Sequence, residues 1–157
     1  MNDGEFKTFV SNGQRIDQIL VSKKYRRVYL LQGQKVIRTY RAAFGNPNGT
    51  KRFQGDLKTP EGVYYISKKN AVSQYTQSLE ISYPNKSDIA YAARFGKSAG
   101  GDVMIHGLPT NPYLKHKFAI QHPMDWTRGC VAVTDVQVRE IYKVTAVKTP
   151  ITICPLK

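Results

Sequence analysis

Short apolar runs broken by turn formers organise this chain. Ile19-Leu20-Val21, Val28-Tyr29-Leu30-Leu31 and Val36-Ile37, leading through Tyr40 to Phe44, are β-branched and aromatic, with Gln32-Gly33-Gln34 as a turn. That pattern predicts a strand meander from Gln18 to Phe44. Gly45 to Pro60 carries Asn46-Pro47-Asn48-Gly49 and Gly55-Asp56, so a long surface loop is expected there, of a length that often carries function. Val63-Tyr64-Tyr65-Ile66 restarts a strand over Gly62 to Ser67, and Leu79 to Tyr83 predicts another, ended by Pro84.

The period changes twice. Ile89, Ala92 and Ala93 share a helical face between Ser87 and Phe95, with Asn85 or Ser87 as cap and Gly96 as stop. Thr134-Asp135-Val136-Gln137 has capping-box spacing, and Val138, Ile141, Tyr142 and Thr145 follow at helical intervals. Between them, Gly100-Gly101 introduces Asp102-Val103-Met104-Ile105-His106, long enough only for a strand that ends on His106. Pro150 to Pro155 reads as a short terminal strand. With no repeat, linker or low-complexity segment, the expectation is one mainly β domain with two short helices.

Composition narrows the classes. The chain of 157 residues is 41% hydrophobic and 11% aromatic, enough for one domain with a buried core, which excludes wholesale disorder. No apolar stretch approaches the ~18 residues of a membrane-spanning helix. Met1 to Phe6 lacks the basic start and apolar centre of a secretory signal, which leaves a cytoplasmic protein or a mature form. The net charge of +13 includes an acid-free stretch from Lys23 to Arg41. Such a surface suits nucleic acid, a membrane surface or an anionic polymer or peptide. The plainer reading is solvated strand faces and edges that discourage aggregation. Neither an RNA-recognition signature nor zinc-finger spacing is present, so nucleic acid would rest on charge alone, and none is expected as a partner.

Chemistry concentrates around one cysteine. Cys154 sits in the terminal strand, where a cysteine is most simply a small buried hydrophobe, whereas Cys130 lies in the polar turn Asp125-Trp126-Thr127-Arg128-Gly129-Cys130. The two could form at most one disulfide. A cysteine nucleophile needs a base, and the imidazole pKa suits that role. His106, at a strand end before Gly107, is the candidate; His116, between two lysines, is expected to be solvated, and His122 to be a loop residue with a local hydrogen bond. Gly129 would let the backbone approach closely, its amide and that of Cys130 could face an oxyanion, and Arg128 would add positive charge. Taken alone, a Cys and a His 24 residues apart are more often unrelated than paired. Cys130, His106, His122 and Asp125 match no common zinc spacing, so no metal is expected. A serine triad lacks its nucleophile elbow.

Ile105-His106-Gly107 followed by Thr127-Arg128-Gly129-Cys130-Val131 resembles the His-Gly and Ser/Thr-x-Gly-Cys motif of bacterial L,D-transpeptidase catalytic domains. Gly55-Asp56-Leu57-Lys58-Thr59-Pro60-Glu61-Gly62-Val63-Tyr64 is similar to a further element of that family. Ile81-Ser82-Tyr83-Pro84-Asn85, His106-Gly107-Leu108-Pro109 and Asp125-Trp126-Thr127 resemble one branch of it. The likeness runs from about Arg15 to Pro155, in order, and divides the chain into an N-terminal segment, 1–14, and a catalytic domain, 15–157.

The resemblance implies a β-sandwich or barrel-like fold and a cysteine acyl transferase acting on peptidoglycan stem peptides without metal or cofactor. It makes Cys130 the nucleophile, His106 the general base, and the Gly129 and Cys130 amides the oxyanion hole. Arg128 would contact substrate or product, while Gly107, Trp126 and Thr127 shape the site. It also implies a carbapenem adduct on Cys130 and a periplasmic or wall-facing location, with a cytoplasmic, muropeptide-trimming carboxypeptidase as the alternative. An L,D-carboxypeptidase, or a hydrolase releasing a wall-linked protein, would use the same site; a non-catalytic wall-binding module would need neither Cys130 nor His106. Two positions depart from the family. Ala132 stands where many members have Arg or Asn, and Glu80 where relatives of this branch often have His.

Overall fold

The computed structural model describes residues 1–121 and 124–157. The predicted meander is present as β1 (Gln18–Ser22), β2 (Arg27–Gln32) and β3 (Lys35–Arg41), paired antiparallel in sequence. β8 (Pro150–Cys154) lies parallel to β1 and antiparallel to β4 (Gly62–Ser73). β4 then pairs with β5 (Thr76–Ile81), β5 with β6 (Met104–His106), and β6 with the short parallel β7 (Val131–Ala132). The strand order is β3-β2-β1-β8-β4-β5-β6-β7. Ala43, just beyond β3, bridges Ala132 of β7 through reciprocal bonds of 2.9 Å, so the two ends of the order meet and the sheet curls barrel-like around its core. Ile19, Leu30, Ile66, Leu79, Ile105 and Ile151 are fully buried there.

Among the described residues there are four helices rather than two. α2 (Lys86–Ala93) and α4 (Asp135–Val144) are the two that the periodicity predicts, capped by Asn85 and Thr134. α1 (Asp3–Ser11) falls within the N-terminal segment 1–14; its capping box is Asn2 with Glu5, and Phe6 and Phe9 stack at 6.1 Å and join the core. Arg38 fastens it, pairing with Asp3 and Glu140 while its guanidinium lies 4.4 Å from the Phe6 ring centre. α3 (Pro112–Gln121) buries no residue at all, so it has no apolar stripe for a period to reveal.

Two further expectations change. The hairpin β4–β5 extends well past Ser67, because Lys68, Lys69 and Asn70 continue the strand with polar residues on both of its faces and hide it from a hydrophobicity pattern. The segment from Gly45 to Pro60 is the expected loop, mostly at the surface, with Gly45, Lys51, Thr59 and Pro60 buried as its anchors. The basic stretch, however, is not uniformly solvated, since Lys23 is fully buried and donates from Nζ to Gly49 O, Thr59 O and Glu61 Oε1. Burial pulls its pKa down against the pull of Glu61.

Candidate active site

β6 and β7 bring the predicted pair together. In their parallel register Ile105 stands opposite Val131 and His106 opposite Ala132, so Cys130 enters one position before the strand and two before the partner of His106. The ladder alternates sides. Ile105 and Val131 face the core, while His106 and Cys130 line a shared cavity of about 170 Å³ with Tyr75, Phe118, Trp126, Thr127 and Arg128.

His106 is 3% exposed, and its Nδ1 lies 2.6 Å from Gly107 O. A carbonyl can only accept, so Nδ1 carries the proton and Nε2 is left as a basic nitrogen. The ring is covered by Tyr75 on one side (centroids 4.3 Å apart) and approached by Trp126 at 5.9 Å. This burial pushes the imidazole pKa down to about 4, against the upward pull of the Gly107 carbonyl. Burial likewise pushes the Cys130 thiol up, although the Met104 amide counters it; Sγ lies 3.4 Å from Asp102 O. At neutral pH the pair therefore rests as thiol and neutral imidazole.

The turn before the cysteine is built around Thr127 and Gly129. Thr127 Oγ1 donates to Cys130 O at 2.7 Å and accepts from the Gly129 N–H at 3.2 Å, while its own N–H reaches Phe44 O. The Gly129 amide, expected at an oxyanion, is thus turned to Thr127; the Cys130 amide has no acceptor among the described residues. Gly129 has φ +132°, and a Cβ there would lie 2.7 Å from Lys58 O, so the loop that carries Gly55 to Pro60 is packed against it too closely for any side chain. That loop is itself tied by Asp56. Burial works to raise its pKa, but bonds from the Phe53, Arg52 and Lys58 amides and from Lys51 hold it below the usual carboxylate range.

On the histidine side, a Cβ on Gly107 would meet Asp135 Oδ1 at 2.8 Å. Asp135 accepts from Leu108 N–H and Thr76 Oγ1 and pairs with Lys115 of α3. One carboxylate thereby joins the strand end after His106, the β4–β5 hairpin, α3 and the start of α4. Trp126 is stacked on Phe118 of α3, with centroids 4.3 Å apart and rings 13° from parallel, and Arg128 is exposed at the cavity.

Other expectations are placed as follows. Both cysteines are free, and Cys154 of β8, opposite Ser22 of β1, is half-buried rather than buried as expected. His116 is exposed on α3, and His122 lies outside the described residues. Asp125 accepts from Phe44 N–H and pairs with Arg26 at 2.9 Å. Among the described residues no three His, Cys, Asp or Glu side chains are grouped to hold a metal. Tyr75, Phe118 and Asp135 were absent from the sequence-based site. Asp135 was legible only as a residue of a helix start, and the other two follow no motif.

The model of the YkuD family, the L,D-transpeptidase catalytic domain, matches residues 16–153. The chain belongs to that family. Among curated proteins, the one named "Putative L,D-transpeptidase YafK" from Escherichia coli K12 is 27% identical over 108 residues, 66% of this chain and 42% of that protein. Among solved structures, the helical cell shape determining protein Pgp2 from Campylobacter jejuni is 24% identical with a TM-score of 0.63, over 94% of this chain and 54% of that one. Bd1075 of Bdellovibrio bacteriovorus is 25% identical, with a TM-score of 0.56 over 90% of this chain and 49% of that one. This chain spans about half the length of these relatives. Its fold is the L,D-transpeptidase fold, mostly β, with four short helices among the described residues.

Proposed function

We propose that this YkuD domain is a peptidoglycan L,D-transpeptidase that works through a thioester on Cys130. The observation that carries this reading is the cavity shared by Cys130 and His106, with Arg128 at its edge. As Sγ bonds to the carbonyl of the third stem residue, its proton passes to His106 Nε2. The C–N bond to the terminal D-alanine then breaks, and the same proton goes to the departing amine. A stem amine next forms the new C–N bond, the C–S bond breaks, and the amine's proton returns through His106 to sulfur. The resting neutral pair suits this route, because the thiolate is made only as it attacks.

The Cys130 amide is the donor available to the oxyanion, Thr127 holds the turn, and Gly107 and Trp126 frame the imidazole. Arg128 would meet a stem carboxylate. No step needs a metal or cofactor, and the reaction keeps the energy of one peptide bond in the next without ATP, which fits a wall-facing enzyme. The basic surface suits an anionic polymer. One relative is titled a cell shape determining protein and one neighbour a complex with imipenem, which supports wall remodelling and a carbapenem adduct on Cys130. Ala132 favours a second reading. It is fully buried beside Ala43, so no cation or amide from that position reaches an acceptor, and water would then resolve the thioester as in a carboxypeptidase.

Incubation with disaccharide tetrapeptide, followed by mass analysis of products, separates the two. Cross-linked dimers or D-amino-acid exchange are expected from transfer and tripeptide alone from hydrolysis. Unchanged conversion by Cys130→Ala contradicts both.

A further inference from the structure

The register of β4 to β7 places more than the Cys–His pair on the outer face of the sheet. One rung runs Asn70, Ser78, His106, Ala132, and the next runs Lys68, Glu80, Met104, continuing towards Cys130. Rungs two residues apart share a face. The first is the row of the base, the second the row of the nucleophile. Lys68, Asn70, Ser78, Glu80 and Met104 line a separate polar cavity of about 60 Å³ on this face. That space holds a charged head group, not a whole residue.

Lys68 and Glu80 are direct cross-strand partners, yet they form no ion pair, and neither side chain has a carboxylate or cationic partner among the described residues. A cation and an anion held side by side and unspent on each other suit a ligand carrying both charges on one carbon. Distance decides which one. Neighbouring strands lie about 4.8 Å apart, so Glu80, two strands from Cys130, is about 10 Å along the sheet from the nucleophile. An attacking amine must come within about 3.5 Å of the thioester carbon, which this pocket forbids. If the third stem residue of the donor is a seven-carbon diamino acid, it spans when extended about 6 Å from its reacting carboxyl carbon to its far amino-bearing carbon, and the Cys130 and Glu80 side chains cover the remainder.

We propose that the Lys68–Glu80 pocket binds the non-reacting, zwitterionic end of the donor's diamino acid, the Glu80 carboxylate taking its ammonium and the Lys68 ammonium its carboxylate. This rests on the function proposed above and names the part of the donor that the site reads. Glu80, the departure from relatives that often carry His, becomes a specificity residue.

The test is D-alanine release from two tetrapeptide donors, one with meso-diaminopimelate and one with L-lysine at the third position. Lysine keeps the ammonium and lacks the carboxylate. Glu80→Gln should raise KM about tenfold for both donors with kcat within twofold, and Lys68→Met should raise it only for the diaminopimelate donor. Unchanged KM values in both variants overturn the proposal while leaving the transpeptidase reading intact. A binding arm is independent of catalysis: free meso-diaminopimelate added to Cys130→Ala protein should shift the amide resonances of Ser78, Glu80 and Met104, and the Lys68→Met/Glu80→Gln double variant should abolish the shifts. If the wild-type chain releases no D-alanine from either donor, the functional reading fails and this arm alone decides the pocket, its absence of shifts overturning it.

Discussion

α3 and α4 meet at the Lys115–Asp135 pair and are built on opposite principles. α4 carries a capping box, a basic last turn at Lys143 and a buried stripe of Val138, Ile141 and Val144. α3 has the same length, buries nothing, and leaves Tyr113 76% and Ile120 72% exposed. Among the described residues two side-chain links hold it down, Phe118 on Trp126 and Lys115 on Asp135. The first helix is fixed by the hydrophobic core and in turn fixes the strand end that bears His106, through Asp135. The second is fixed by the site, and covers it. Elements attached by few buried contacts are the ones that open at low cost.

That contrast can be broken by mutation. Ile141→Ala, in a fully buried position, should cost about 2–5 kcal/mol in denaturant unfolding, whereas Ile120→Ser on α3 should move stability by less than about 0.5 kcal/mol. An Ile120→Ser cost equal to that of Ile141→Ala would show α3 to be part of the core.

Acid should come next in size. His106 is neutral when folded, with its pKa near 4, and titrates near 6.5 when unfolded, so the unfolded chain binds the extra proton between these values. Stability is therefore full above pH 6.5 and falls as pH drops towards 4, by on the order of 3 kcal/mol. His106→Gln should flatten that part of the profile, and by the same shift the acid limb of kcat/KM should lie near pH 4. A limb near 6.5 would mean that Tyr75 and Trp126 do not keep the imidazole dry.

Asp135→Asn should be the smallest. It removes the charge facing Lys115 but keeps the Thr134 cap, and about 1–2 kcal/mol is expected. Hydrogen exchange should quicken over Pro112 to Gln121 and stay slow over α4. Equal acceleration in both helices would deny the contrast.

The same division decides what could be read in the sequence. α4 and the meander were legible because burial writes a period into them. α3 and the outer half of the β4–β5 hairpin were not, because Lys68, Lys69 and Asn70 are polar on both faces of the strand and α3 buries no residue. Cys130, His106, Gly129 and Thr127 were legible by motif, and the structure brings them together. Tyr75 and Phe118 act through ring contacts between segments distant in sequence, which no spacing encodes. The buried Lys23 hid inside a run that looked like surface charge, because its three acceptors come from a loop folded over it. The Gly129 amide looked free because the Thr127 hydroxyl two residues before it is visible only in three dimensions.

Cys130 is the proposed carrier of the acyl group. The direct measurement is peptide mapping by mass spectrometry after the chain is mixed with tetrapeptide and quenched in acid. A thioester adduct of tetrapeptide less alanine on Cys130, absent from Cys130→Ala, is the predicted result; an adduct on Cys154, or turnover that survives Cys130→Ala, would contradict it.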